Sequence, residues 1–180
     1  MIELTHYGMI GCGMMGHEHI RNITLLSDTQ VSVIFEPNKD MALKAKELAP
    51  NAIFVNSIDD LLDFKKLDCL VIVSPNFCHM SQLEQIALKR HLPILIEKPL
   101  FTDPNDIFKL EKFRDNYPSP VWVAMEYRYM PPIQTLRERV DSVTGGIKML
   151  TIREHRFPFL KNVNDWNRFN RYSGGTLVEK

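Results

Sequence analysis

Tyr7-Gly8-Met9-Ile10-Gly11-Cys12-Gly13-Met14-Met15-Gly16 joins a short apolar run to three glycines spaced Gly-x-Gly-x-x-Gly. Alone, that spacing arises easily by chance in a turn that holds no ligand. Here it follows a predicted strand, opens a predicted helix and meets an acid, Glu36, 20 residues beyond Gly16. That is the context a dinucleotide fingerprint demands. In it Gly11 permits the tight turn, Gly13 lets backbone approach a pyrophosphate, and Gly16 allows close packing of helix on sheet. The helix N-terminus offers unpaired N–H groups and a positive dipole end to phosphate. Glu36, with Pro37 after it, ends the second predicted strand and suits hydrogen bonds to ribose hydroxyls. Its charge repels a 2′-phosphate, so NAD is expected, with NADP tolerated because Lys39 lies close enough to blunt the preference.

Outward from this stretch the chain alternates between strand and helix. Gly16, Ile20, Ile23 and Ser27 keep helical spacing. Val31–Phe35 is a β-branched run, and Met41, Ala45 and Leu48 mark a helix entered at Asn38. Ala52–Val55, Cys69–Val73, Ile94–Ile96 and Val121–Met125 are further strands. Helices are expected at Ile58–Leu62, along Leu83, Ile86, Ala87 and Arg90, and after Asp103-Pro104 with Ile107, Leu110 and Phe113 inward. Cys69–Val73 is apolar at every position, as a central parallel strand covered on both faces requires. The fold class is therefore α/β, a doubly wound parallel sheet of the Rossmann kind. The rhythm breaks after Glu126. A helix near Ile133–Val143, a turn at Thr144-Gly145-Gly146 and a strand at Ile147–Glu154 precede a stretch, 153–171, dense in Arg, Asn, His and aromatics. This reads as a nucleotide-binding domain over 1–125 and the first part of a second domain over 126–180.

Composition narrows the partners. The chain has 180 residues, 44% apolar and 24% charged, with 22 Lys and Arg against 22 Asp and Glu. Zero net charge removes the usual electrostatic warrant for nucleic acid or an anionic membrane surface. No apolar run approaches the roughly 20 residues needed to span a bilayer. Cys12, Cys69 and Cys78 match no zinc or CxxC spacing, so a reduced, cytoplasmic protein is expected. His17 and His19 point roughly 200° apart on a helix and cannot share one ion, and no metal site is expected.

Two further segments end buried strands, where ligands bind in an open α/β sheet. Ser74-Pro75-Asn76 leads to His79, which spacing alone allows either as a ligand-side residue or as a helix-start residue that caps or packs. Glu97-Lys98-Pro99 places a lysine where a strand emerges, held by a rigid element and aimed at the same cleft. Desolvation and a neighbouring cationic cofactor would bring such a lysine toward general acid or base duty. A strand-terminal ion pair between Glu97 and Lys98 is the plainer reading, and spacing alone favours it.

Taken together, these motifs resemble the Gfo/Idh/MocA oxidoreductases. Gly11–Gly16 with His19, Glu36-Pro37, and Ser74-Pro75-Asn76 with His79 are similar to that family's dinucleotide domain in order and spacing, and Glu97-Lys98-Pro99 resembles its EKP signature. Tyr127-Arg128-Tyr129 with Pro131 looks like the segment that leads into its second domain. Trp166 with Arg168, then Ser173-Gly174-Gly175-Thr176-Leu177, looks like its later W-R and G-G-G-x-L stretch. The resemblance implies a Rossmann domain followed by an α+β domain with an open, mostly antiparallel sheet. It implies hydride transfer between nicotinamide and a secondary alcohol or carbonyl of a sugar or cyclitol, in a full-length homo-oligomer.

Residue by residue, the resemblance implies cofactor contacts from Gly11, Cys12, Gly13, Met14, Met15, Gly16, Glu36, Pro37, Ser74, Pro75, Asn76, His79, Glu97, Lys98 and Arg128. Substrate contacts would come from Lys98, Tyr127, Arg156, Trp166 and Arg168. Lys98 would assist proton transfer, and Glu179 stands where the family more often has an aspartate. The family's partner histidine would fall three positions past Lys180. The expectation is thus a dehydrogenase truncated in its second domain, able to bind NAD and impaired in turnover. The alternative is a non-catalytic NAD(P)-binding regulator of the same fold. A methyltransferase would explain neither Glu97-Lys98-Pro99 nor the Trp166–Leu177 stretch.

Overall fold

A computed structural model describes residues 4–151, 153, 166 and 169–175. Six parallel strands form one sheet: β1 Thr5–Ile10, β2 Thr29–Phe35, β3 Ile53–Val55, β4 Cys69–Ile72, β5 Ile94–Glu97 and β6 Val121–Ala124. Their order is β3-β2-β1-β4-β5-β6, the doubly wound arrangement expected of the alternation. Helices α1 Met14–Thr24, α2 Lys39–Leu48, α3 Ile58–Leu62, α4 His79–Lys89 and α5 Ile107–Asn116 connect them.

Successive side chains leave a strand on opposite faces and so go to opposite cores, except on β2, where a register shift against Tyr7 and Gly8 of β1 skips Ser32 and sends Val31 and Val33 to opposite sides. Met9, Val31, Ile34, Val71 and Val73 pack with Ile20 and Ile23 of α1 and Ala45 of α2. Ile10, Val33, Leu70, Ile72, Ile94 and Ile96 pack with Leu61 and Leu62 of α3, Leu83 and Ile86 of α4, and Phe113 of α5. Each fully buried Ile or Leu here contributes about 1.5–3 kcal/mol relative to exposure. Local chemistry sets the helix starts: the Asn38 side chain accepts from Asp40 and Met41 N–H, and that of Ser57 from Asp60 N–H. The Asp103 side chain accepts from Asn105 N–H, and a short 3-10 turn, Pro104–Asp106, precedes α5. Phe113 is buried and Leu110 half-buried, but Ile107 is exposed, because α5 begins at that residue, beyond the sheet's cover.

The chain divides into two compact units, Met1–Ala124 with Asp165–Lys180, and Met125–Asn164. The second contains a 3-10 turn, Glu126–Tyr129, and α6, Pro131–Thr144, closed by Gly145 in the left-handed region (φ 66°). The strand expected at Ile147–Glu154 is not formed over the described part, 147–151. Ile147, Met149 and Leu150 are exposed there, and among the described residues no neighbouring strand completes a ladder. In the first unit a short helix, α7 Asn170–Ser173, packs on a 3-10 turn, Asn76–Cys78.

Candidate functional site

Strand register brings the motifs together. Ile10 of β1 pairs with Phe35 of β2 and Ile72 of β4, and Ile72 pairs with Ile96 of β5. The residues that follow, Gly11, Glu36, Val73-Ser74 and Glu97-Lys98, therefore emerge level with one another at the carboxyl end of the sheet. The β1–β4 junction is where the chain's winding direction reverses, the place such sheets bind ligands.

Gly11 adopts φ +85°, and a Cβ built on it would lie 2.7 Å from the backbone N of Ser74. Only glycine satisfies both demands. Gly13 is the N-cap of α1, with no side-chain hydrogen bond capping it, and apart from the adjoining chain no atom of the described residues lies within 4 Å of where its Cβ would be. Open space beside uncapped N–H groups fits a phosphate group. At Gly16 a Cβ would stand 3.2 Å from the Gly11 carbonyl oxygen, so the third glycine serves helix-on-strand packing. Met14 and Met15 are exposed on the first turn.

Glu36 sits at the end of β2 and is tied to the glycine turn. Its Oε2 accepts from Cys12 N–H at 2.6 Å and its Oε1 from Asn38 N–H at 2.8 Å. Each oxygen keeps a lone pair that ribose hydroxyls can use. Cys12 is fully buried, and its thiol is pushed up to about 12 by burial first, then by the charge and hydrogen bonding of Glu36. It is thus a protonated apolar filler rather than a nucleophile. Pro37 lies exposed beyond it.

On the β4 side, the Ser74 hydroxyl donates to Gln82 Oε1 of α4, and the Asn76 amide is buried and donates to the Ser173 carbonyl at 3.3 Å. Phe77 contacts the rings of Tyr172 (centroids 4.9 Å apart) and Trp166 (6.1 Å). His79 is fully enclosed: Nδ1 lies 2.7 Å from the Pro99 carbonyl oxygen and Nε2 3.0 Å from that of Ser74. Its ring therefore lies between the Ser74-Pro75-Asn76 segment and Lys98-Pro99, a neutral imidazole donating to one of the two carbonyls, instead of facing the cleft. Burial lowers its pKa, against the raising pull of both carbonyls and of Glu97.

Glu97 is also buried, and the Lys98–Pro99 peptide is cis. The expected ion pair of Glu97 with Lys98 gives way to another partner. Glu97 Oε1 accepts from His19 Nε2 of α1 at 2.8 Å, and Oε2 from Lys98 N–H at 3.2 Å. Lys98 itself is half-buried at the strand end. Sequence reasoning overlooked the His19–Glu97 pairing. A usable signal was the spacing: His19 follows Gly16 by three residues and so lies close to its face. His17 turns to the Met41 carbonyl oxygen (3.4 Å).

Tyr127 and Arg128 lie exposed in the second unit, where Arg128 Nε donates to the Met125 carbonyl at 3.2 Å. Arg156, Arg168 and Glu179 lie outside the described residues. Among the described residues no cluster of His, Cys, Asp and Glu could hold a metal ion, and no helix is long and apolar enough to cross a membrane.

Known proteins match this arrangement. An inositol 2-dehydrogenase of Corynebacterium glutamicum (strain R) is 32% identical over 160 residues, 88% of this chain and 47% of the relative. One from Leifsonia xyli is 33% identical over 153 residues, 84% and 44%. The chain thus spans about half the length of the curated relatives it matches. The crystal structure of myo-inositol dehydrogenase from Lactobacillus casei in complex with NAD(H) and myo-inositol shares the fold, with a TM-score of 0.72, 24% identity, and coverage of 79% of this chain and 43% of that one. The sequence profile of the oxidoreductase family with an NAD-binding Rossmann fold, Gfo/Idh/MocA, matches residues 5–125, and to that family this chain belongs.

Proposed function

We propose that the chain is the nucleotide-binding part, with the beginning of the substrate domain, of a cytoplasmic NAD-dependent dehydrogenase acting on a CH–OH group of a cyclitol or sugar. The observation that carries this reading is the strand register, which brings the Gly11–Gly16 turn, Glu36 and Lys98 out at one end of the sheet. The resemblance to inositol 2-dehydrogenases supports the substrate class. The three thiols, none in a disulfide, agree with a reducing compartment.

Bound NAD would supply the hydride acceptor. The chain supplies the rest. N–H groups of the first turn of α1 would hold the pyrophosphate, and Glu36 would accept from the adenosine ribose while its charge disfavours a 2′-phosphate. Lys98 moves the proton at the reacting hydroxyl. Its backbone is held from below by Glu97 and from behind by the His79 contact to Pro99. Tyr127, Arg156, Trp166 and Arg168 suit a hydroxyl-rich ligand through directional donors and stacking, Arg128 would serve the cofactor, and Glu179 would add an acid. Fluorescence titration tests the reading: NADH is expected to bind at micromolar levels and more tightly than NADPH. Absence of binding by either nucleotide refutes it. In the complete enzyme Lys98→Ala is expected to leave NADH binding intact and to remove turnover; unchanged turnover excludes the lysine.

A further inference from the structure

The contact between His19 and Glu97 joins two elements that the sheet keeps apart. His19 belongs to the helix that starts at the glycine turn, and Glu97 ends β5. Between β1, which feeds that helix, and β5 lies β4, so the contact reaches across β4. Its length is 2.8 Å, and the two side chains are 17% and 9% exposed. An ionised carboxylate only accepts, so His19 Nε2 carries the proton it donates, which selects one tautomer or the imidazolium. The second carboxylate oxygen accepts from Lys98 N–H. A continuous path therefore runs from the phosphate-binding helix through His19 and Glu97 to the backbone of Lys98. No hydrogen-bond-capable side-chain atom buried among the described residues lacks a partner, so removing the imidazole would create an unmet acceptor in a closed place.

We propose that His19 is a positioning residue: by donating to Glu97 it orients that carboxylate onto Lys98 N–H and sets the lysine's place relative to the pyrophosphate site. This rests on the dehydrogenase reading for its catalytic consequence, though the clasp itself does not. The assignment differs from a packing role in what it moves. A packing role lowers the stability of the whole sheet. A positioning role loosens the Lys98 backbone locally and lowers the rate constant while the cofactor still binds.

The test uses His19→Leu, which fills space without a donor, and His19→Gln, whose amide nitrogen can stand in for Nε2–H. Hydrogen exchange by NMR on the chain itself is read at Lys98 N–H and, as internal controls, at the β5 amides of Ile94 and Ile96. In His19→Leu the Lys98 amide is expected to exchange about tenfold faster while the two controls hold, and His19→Gln is expected to return it to within about threefold. The NADH dissociation constant should stay within about threefold in both. In the complete enzyme kcat should fall at least about tenfold in His19→Leu at unchanged KM for NAD and recover in His19→Gln.

Equal acceleration at Lys98, Ile94 and Ile96 would reduce His19 to packing and overturn the proposal. An unchanged Lys98 amide would do so as well, as would unchanged kcat. Should His19→Leu fail to fold, the conservative variant carries the test alone: a donor-retaining Gln that leaves Lys98 exchange and kcat far from the parent refutes it. Failure of the parent to bind NADH would instead refute the dehydrogenase reading and leave the exchange result standing.

Discussion

Gly11 and Gly13 are two residues apart, yet their replacement by alanine should produce opposite results. At Gly11 a Cβ would lie 2.7 Å from Ser74 N, 2.8 Å from Ser74 Cα and 2.8 Å from the Val73 carbonyl carbon. All three are backbone atoms of the segment leaving the central strand β4, which is hydrogen-bonded on both sides and cannot give way cheaply. The φ of +85° adds the left-handed penalty, about 1–2 kcal/mol for a residue with a Cβ. Overpacking against fixed neighbours adds about 1–3 kcal/mol. Gly11→Ala is therefore expected to cost about 2–5 kcal/mol, a large part of the roughly 5–15 kcal/mol a domain possesses. With a urea slope of about 2 kcal/mol/M, the unfolding midpoint falls by about 1–2.5 M.

At Gly13 the backbone has φ −67°, and apart from the adjoining chain no described atom lies within 4 Å of the added methyl. Gly13→Ala should thus cost no more than about 1 kcal/mol, the difference between Gly and Ala at an N-cap, or about 0.5 M in midpoint. The same methyl fills the gap through which a pyrophosphate reaches the first N–H groups of α1, so NADH affinity should drop by at least about tenfold, or 1.4 kcal/mol. Urea unfolding followed by tryptophan fluorescence and circular dichroism, beside an NADH titration, separates the two effects. A Gly13→Ala protein that binds NADH like the parent would refute the placement of the phosphate. A Gly11→Ala protein with an unshifted midpoint would refute the account of the turn.

Two other perturbations read stability directly. Arg90, half-buried after α4, donates to the carbonyls of Leu62, Phe64, Lys65 and Leu67, stapling the chain that leads into β4; Arg90→Ala should cost about 2–3 kcal/mol in urea unfolding, and Arg90→Lys, which lacks the planar fork, should recover less than half. For His79, burial holds the folded-state pKa below the ordinary 6.5, so the unfolded chain takes up the proton first and stability is lost as pH falls from 6.5 through the folded value, with a limiting slope of about 1.4 kcal/mol per pH unit; unfolding midpoints between pH 8 and 5.5 should show this decline and a shallower one in His79→Gln, and equal slopes would refute it.

The sheet was legible because its signals are local. Uninterrupted apolar runs such as Cys69–Val73 and caps such as Asn38 and Ser57 announce strand and helix within a few residues, and the winding rules leave few ways to arrange them. The site was legible only in part. Gly11, Glu36 and Lys98 could be named because each ends or follows a strand, and such ends converge. What sequence could not supply is the pairing between distant side chains. Glu97 has Lys98 as its neighbour in the chain, so an ion pair with it is the natural expectation. The strand, however, sends consecutive side chains to opposite faces, and the carboxylate meets His19, 78 residues earlier. His79 shows the same limit: its spacing allowed a ligand-side or a packing role, and only tertiary contact reveals carbonyls at both nitrogens.

The two acids of the site also act as a pair in a way that neither motif announces. Glu36 closes on the glycine turn from β2 through Cys12 N–H, and Glu97 closes on the same helix from β5 through His19. The strands carrying them flank β1 and β4, so the start of α1 is fastened from opposite sides. Negative charge near a helix N-terminus is favourable, which lets two carboxylates sit there. The same charges would repel a pyrophosphate if they faced it. Each is instead committed to an N–H donor, Glu36 to that of Cys12 in the turn and Glu97 to the ring of His19 further along α1, and the space beside Gly13 stays open. Rigidity of the turn and access for an anion are thus met by one arrangement. It follows that loosening the Glu36–Cys12 fastening, which holds the turn itself, should alter where the phosphate-binding N–H groups point, whereas loosening His19–Glu97 acts at Lys98 and leaves them in place.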